Sequence, residues 1–148
     1  MRGDLEADAE LPGGEALVRQ FVYGRRFFRA KLGADRDGVW LPAAAGAAAA
    51  LLLLAALAGA RWFLGRRPDP GRGPALPHHT FRWEGIDGTV LFTHLAPGGA
   101  EGSTLTGGEA VESVSDFADK GAATRSLLPF GRNDGGPDRA VQRHCEPG

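Results

Sequence analysis

Twenty consecutive residues, Leu41 to Ala60, carry no charged or strongly polar side chain. No other feature limits the fold so strongly, because such a run has to be hidden in lipid or beneath other protein. As a single helix rising about 1.5 Å per residue, it is long enough to cross a hydrocarbon core of about 30 Å. Trp40 and Trp62 bracket it as interfacial aromatics do. The insertion force is modest, since alanine dominates and only the leucines contribute clearly, roughly −0.5 kcal/mol each. Gly46 and Gly59 subtract from it, and arginines on both flanks (Arg25, Arg26, Arg29 and Arg36; Arg61, Arg66, Arg67 and Arg72) leave its orientation unset. One expectation is therefore a single-pass membrane segment over 41–60. The other is a helix between two strands of an α/β fold.

Composition narrows the partners. The formal net charge of 148 residues is −1, and the basic residues are dispersed, so nucleic acid is not an expected partner. Cys145 is the sole cysteine and excludes an internal disulfide. Its context, "CEPG", lacks a prenylation box. The opening "MRGDLEADAE" is too acidic for a signal or transit peptide. Gly and Pro exceed a fifth of the chain, which predicts loops and a disordered tail over 138–148.

Periodicity predicts an acidic lead over 1–13, then a helix from Gly14 with Leu17, Phe21, Phe28 and Leu32 on one face and Gly33 as its cap. Gly38–Pro42 and Ala60–Gly65 read as strands. Thr80–Leu95 reads as a hairpin with a two-residue turn at Asp87-Gly88. Thr104–Gly121 reads as a helix with a Thr106/Glu109 capping box, a stripe of Val111, Val114 and Phe117, and Gly121 as cap. Ser126–Phe130 reads as a last short strand. This alternation predicts the α/β class, in a core region spanning 14–137.

Six segments in register carry a resemblance: "ELPGGEALVRQFVYGRRFF", "VWLP", "LAGARWFL", "PHHTFRWEGIDGT", "FTHLAP" and "DKGAATRSLLPFG". Together they closely resemble the catalytic domain of the α-mannosidases of glycoside hydrolase family 38, in its bacterial and cytosolic branch. The resemblance implies part of a β/α-barrel-like domain, a cytoplasmic location and α-mannoside glycans as substrates. It also implies that the alanine-leucine run fills, without a gap, the slot of a loop and helix between two strands.

Retaining glycosidases place a carboxylate nucleophile about 5–5.5 Å from a carboxylic acid/base. By the resemblance, the nucleophile is the aspartate after Trp-Leu-Pro, which also contacts a zinc ion. Ala43 occupies that position, and Ala45 replaces a phenylalanine that packs by the sugar. Asp37 lies across the strand and would need a rebuilt backbone to substitute. The family's other zinc ligands come from a His-x-Asp strand and a later His-Asp motif; the chain is expected to begin after the first and end before the second.

Zinc needs three or four placed ligands, and His78, His79, His94, His144 and Cys145 are the candidates. His78 and His79, adjacent on a strand, point to opposite faces and do not chelate one ion. No catalytic or metal residue is therefore expected in this chain. Trp83 and Asp87 are the candidate sugar-binding residues, with Glu84 beside them; core packing and turn formation are their plainer roles. The glycine-rich loop of the family is shortened to "GRNDGGP" (Gly131–Pro137), with Arg132 and Asn133 replacing the usual aromatic and glycine. The overall expectation is an inactive α-mannosidase-related fragment. The alternatives are a small single-pass membrane protein and an enzyme completed by a complementing fragment.

Overall fold

The computed structural model describes residues 9, 11–41, 50–67, 76–97 and 103–130. Ala43, Ala45, His144, Cys145, the glycine-rich loop and the tail lie outside the described residues, as does most of the acidic lead.

Helix α1 spans Gly14–Leu32. Leu17 and Phe21, one turn apart, are buried. Glu15 in the first turn, and Arg29 and Lys31 in the last, oppose the partial charges of the helix ends. The helix stops at Gly33, whose N–H donates to the Arg29 carbonyl at 3.1 Å. Leu32, expected on the inner face, is exposed. Strand β1, Gly38–Leu41, leads through the alanine-rich run to helix α2, Leu51–Leu57, and then to strand β2, Trp62–Arg66. Strands β3, Thr80–Glu84, and β4, Val90–Ala96, form a hairpin, and helix α3, Gly107–Asp116, follows.

The four strands lie in the order β1-β2-β4-β3. β1, β2 and β4 are parallel, with Val39 opposite Phe63 and Phe63 opposite Thr93. β3 runs antiparallel to β4, with Trp83 opposite Leu91. The result is a mixed, open sheet. Barrels of the β/α kind are closed from parallel strands throughout, and the described strands do not close into one, which corrects the barrel-like expectation. One face of the sheet carries Val39, Phe63, Leu91 and Leu95, and packs against Leu51, Leu52 and Ala55 of α2 and Phe21 of α1.

The membrane expectation is also corrected. Leu41 is a strand residue, α2 covers seven residues or about 10 Å, and Gly59 ends the run at a φ of 86° that disfavours any side chain. No helix among the described residues is long and apolar enough to cross a membrane. The leucines of α2 are hidden by the sheet instead. Arg25 of α1 donates to the Ala58 carbonyl and pairs with Asp35 at 2.7 Å, locking the end of α2 to α1.

Three local expectations also change. The hairpin turn is not a two-residue one: Gly88 N–H donates to Gly85 O at 3.0 Å, and Gly85 N–H donates to Thr89 O at 2.7 Å. Gly88 alone there has a positive φ, 82°, so Asp87 lacks the conformation that a type I′ turn demands. This is a three-residue loop with a glycine bulge. Helix α3 keeps its capping box but ends at Asp116, with Phe117 extended. Ser113 and Phe117 turn inward while Val111 and Val114 are exposed. Ser126–Phe130 forms no strand, only an isolated bridge from Phe130 to Ser103, because Pro129 has no N–H to offer a ladder.

Candidate functional site

In open α/β sheets ligands sit beyond the carboxyl ends of the parallel strands. Here that edge is formed by Leu41, Arg66 and Ala96, the last residues of β1, β2 and β4. The antiparallel β3 begins at the same edge, so His78 and His79 arrive there too.

Asp119 organises the described part of the edge. Its side chain is 5% exposed. One carboxylate oxygen accepts the backbone N–H groups of His79 at 2.9 Å and Thr80 at 2.8 Å; the other accepts His78 Nδ1–H at 2.7 Å. Burial alone pushes this carboxyl up, but the bonds from His78, Thr80 and His79 together hold it below the ordinary carboxylate value. The turn after α3 is thereby clasped to the start of β3. The Ala118 N–H adds a bond to His79 Nδ1 at 3.0 Å, and Phe117 lies against both His79 and His94.

His94, buried on β4, accepts the Leu127 N–H at Nε2 and so donates from Nδ1 to Thr80 Oγ1 at 2.8 Å. Burial lowers the pKa of both His79 and His94, and the charge of Arg67 lowers that of His79 further. Both shifts favour the neutral imidazole.

The residues singled out by sequence are placed elsewhere. Trp83 is half-buried in β3 and packs edge-to-face on Phe63, with ring centroids 5.4 Å apart. Asp87 lies in the hairpin turn, at the amino end of β4, where it accepts the Thr89 hydroxyl and the Thr89 N–H. Neither is brought to the carboxyl edge, and they do not approach each other through any bond. Glu84 is exposed beside that turn. Asp37 precedes β1, accepting the Trp62 indole N–H at 3.3 Å. A strand rises about 3.3 Å per residue, so Asp37 is on the order of 13 Å from the Leu41 end.

Zinc is tested by the donor set. Both Asp119 oxygens and His79 Nδ1 are already engaged, and no three His, Cys, Asp or Glu side chains among the described residues converge on one point. The described residues do not fit the ion. Asp119 and Arg67 were missed by sequence reasoning, and His94 was weighed only as a zinc ligand. The signal for Asp119 was its place at the head of "DKGAATRSLLPFG", obscured by extending α3 to Gly121.

Comparison with known proteins decides the ancestry. The model of the Glycosyl hydrolases family 38 N-terminal domain matches residues 3–146. The chain belongs to glycosyl hydrolase family 38. It is similar to alpha-mannosidase 2C1 of Homo sapiens, 39% identical over 132 residues, covering 89% of this chain and 13% of the relative. Alpha-mannosidase G of Dictyostelium discoideum is 36% identical and the alpha-mannosidase of Saccharomyces cerevisiae 33%, each over 132 residues, 89% of this chain and 12% of the relative. The chain thus spans about an eighth of the length of the curated family 38 relatives it matches.

Proposed function

We propose that this chain carries scaffold elements of a family 38 α-mannosidase catalytic domain and has no glycosidase activity of its own. Its ancestral substrates are α-linked mannosides, and its compartment is the cytoplasm, as its likeness to the cytosolic branch implies. One observation supports the reading: alanine stands at position 43, two residues after the strand that ends at the sheet's carboxyl edge, where the family resemblance implies the nucleophile. A methyl group neither attacks an anomeric carbon nor binds zinc. The described carboxylates do not replace it, since Asp119 is consumed by its three bonds and Asp37 lies at the far end of β1. In this reading Trp83 and Asp87 support the core and the turn rather than a sugar.

The full chain, incubated with para-nitrophenyl α-mannoside with and without added zinc, is expected to release no nitrophenol above the buffer rate. Intact-mass analysis after exposure to a fluorinated mannosyl trap is expected to show the unmodified polypeptide. A mannosyl adduct on this chain overturns the proposal. Zinc-dependent release that appears only on adding a polypeptide bearing the His-x-Asp and His-Asp motifs replaces it with a complemented enzyme.

A further inference from the structure

His79 is 1% exposed, and both of its ring nitrogens face hydrogen-bond donors. The Ala118 N–H lies 3.0 Å from Nδ1, and Arg67 Nη1 lies 3.1 Å from Nε2. A neutral imidazole has one ring nitrogen that accepts and one that donates, and a guanidinium only donates. If Nδ1 accepts the Ala118 N–H, Nε2 carries a proton that points at another donor. Moving the proton to Nδ1 transfers the conflict to Ala118, and adding a second proton creates two conflicts.

Buried polar groups in native folds are almost always satisfied, and one left without a partner costs about 1–3 kcal/mol. Among the described residues the nearby acids do not relieve it. Asp119 is taken up by His78 and two backbone N–H groups, and Asp116 acts on His79 only through its charge. Accepting the Ala118 N–H at Nδ1 gives the Nε2–H tautomer. Arg67 also donates to the Leu76 carbonyl, which holds its fork beside Nε2 while the rest of the side chain stays partly exposed.

We propose that a small inorganic oxyanion of the phosphate class docks where Arg67 Nη1–H and His79 Nε2–H converge at the carboxyl edge of the sheet. One oxygen, or two of one anion, accepts both groups and turns a donor-donor contact into two bonds, one of them charge-assisted. The guanidinium shifts sideways off the ring while its bond to Leu76 serves as the pivot. This site uses only described side chains and does not depend on whether the chain cleaves mannosides.

The test is a titration of the ¹⁵N-labelled full chain with inorganic phosphate, with chloride at matched ionic strength and acetate as separate arms. Side-chain imidazole spectra are expected to show the Nε2–H tautomer of His79. Its Nε2–H resonance moves saturably with phosphate, and the melting temperature rises in parallel. Arg67→Met weakens the apparent affinity about tenfold through loss of a charge-assisted bond, while His78→Gln, whose hydrogen bond among the described residues goes to Asp119, leaves it unchanged. An Nδ1–H tautomer, an equal response to chloride, or an unaltered titration in Arg67→Met overturns the site. Acetate acting as strongly as phosphate overturns the phosphate class.

Discussion

Replacing Asp119 by alanine removes one acceptor group from three donors while leaving the apolar core intact. The backbone N–H groups of His79 and Thr80, bonded at 2.9 and 2.8 Å, lose their shared oxygen. His78 Nδ1 loses its partner too, but it is exposed and water takes over. Each unsatisfied backbone donor costs about 1–3 kcal/mol, at the lower end here because the site lies at a sheet edge. With the lost charge assistance the total is about 3 kcal/mol. For a domain of this size each kcal/mol shifts the melting temperature by about 2–4 °C, so Asp119→Ala is expected to melt about 9 °C below the parent. Asp119→Asn keeps one acceptor oxygen and is expected to lose about half as much. Urea midpoints should fall in the same order at an unchanged slope, and amide exchange should quicken first at His79 and Thr80. If Asp119→Ala melts within about 2 °C of the parent, the clasp contributes nothing and the reasoning fails.

Acidification should destabilise the fold in two stages. His79 and His94 have folded pKa values below their ordinary 6.5, so the unfolded chain takes up protons first and stability falls as pH drops below about 6.5; urea midpoints from pH 8 to 5 read this, with His94→Gln flattening the slope. Asp119, depressed below 3.8, adds a further loss as pH falls below that value, absent in Asp119→Asn. Thr106→Ala removes the acceptor for the Glu109 N–H and should cost about 1 kcal/mol, seen as faster amide exchange confined to α3. Gly38→Ala would set a methyl carbon 2.0 Å from the Trp62 ring, forcing the indole off the strand and away from Asp37; a red-shifted tryptophan emission and a loss of about 1–3 kcal/mol are expected.

What was legible in the sequence follows from the range of the physics involved. α1 was readable because the pairing of Leu17 with Phe21 and the stop at Gly33 are local rules of period and termination. The hairpin strands were readable from alternating β-branched and aromatic residues. Their turn was miscounted because the ladder closes at Gly85 and Thr89, one residue earlier than a two-residue turn requires, which no dipeptide rule reports. The alanine-leucine run stayed ambiguous, since helix propensity is the same under lipid and under a sheet; the packing of Leu51, Leu52 and Ala55 on β4 and its neighbours decided it. α3 misled because its valines keep the period of a core face, whereas the inward line is Ser113 and Phe117. The Asp119 clasp joins residues about forty positions apart in the chain, beyond the reach of any window. The parentage was legible from six short segments, though none of them reports the ring bonds of His79.

The strand order β1-β2-β4-β3 has a consequence for the order of events as the chain folds. Parallel neighbours such as Val39 and Phe63, or Phe63 and Thr93, are distant in sequence and pay loop-closure entropy before any bond rewards them. The β3–β4 hairpin closes through a three-residue loop and forms on the microsecond scale of local ribbons. It is therefore the natural nucleus, onto which β2 and then β1 dock. Asp119 is synthesised after all four strands, so during translation the nascent sheet emerges before its latch and spends that interval exposed to misassembly.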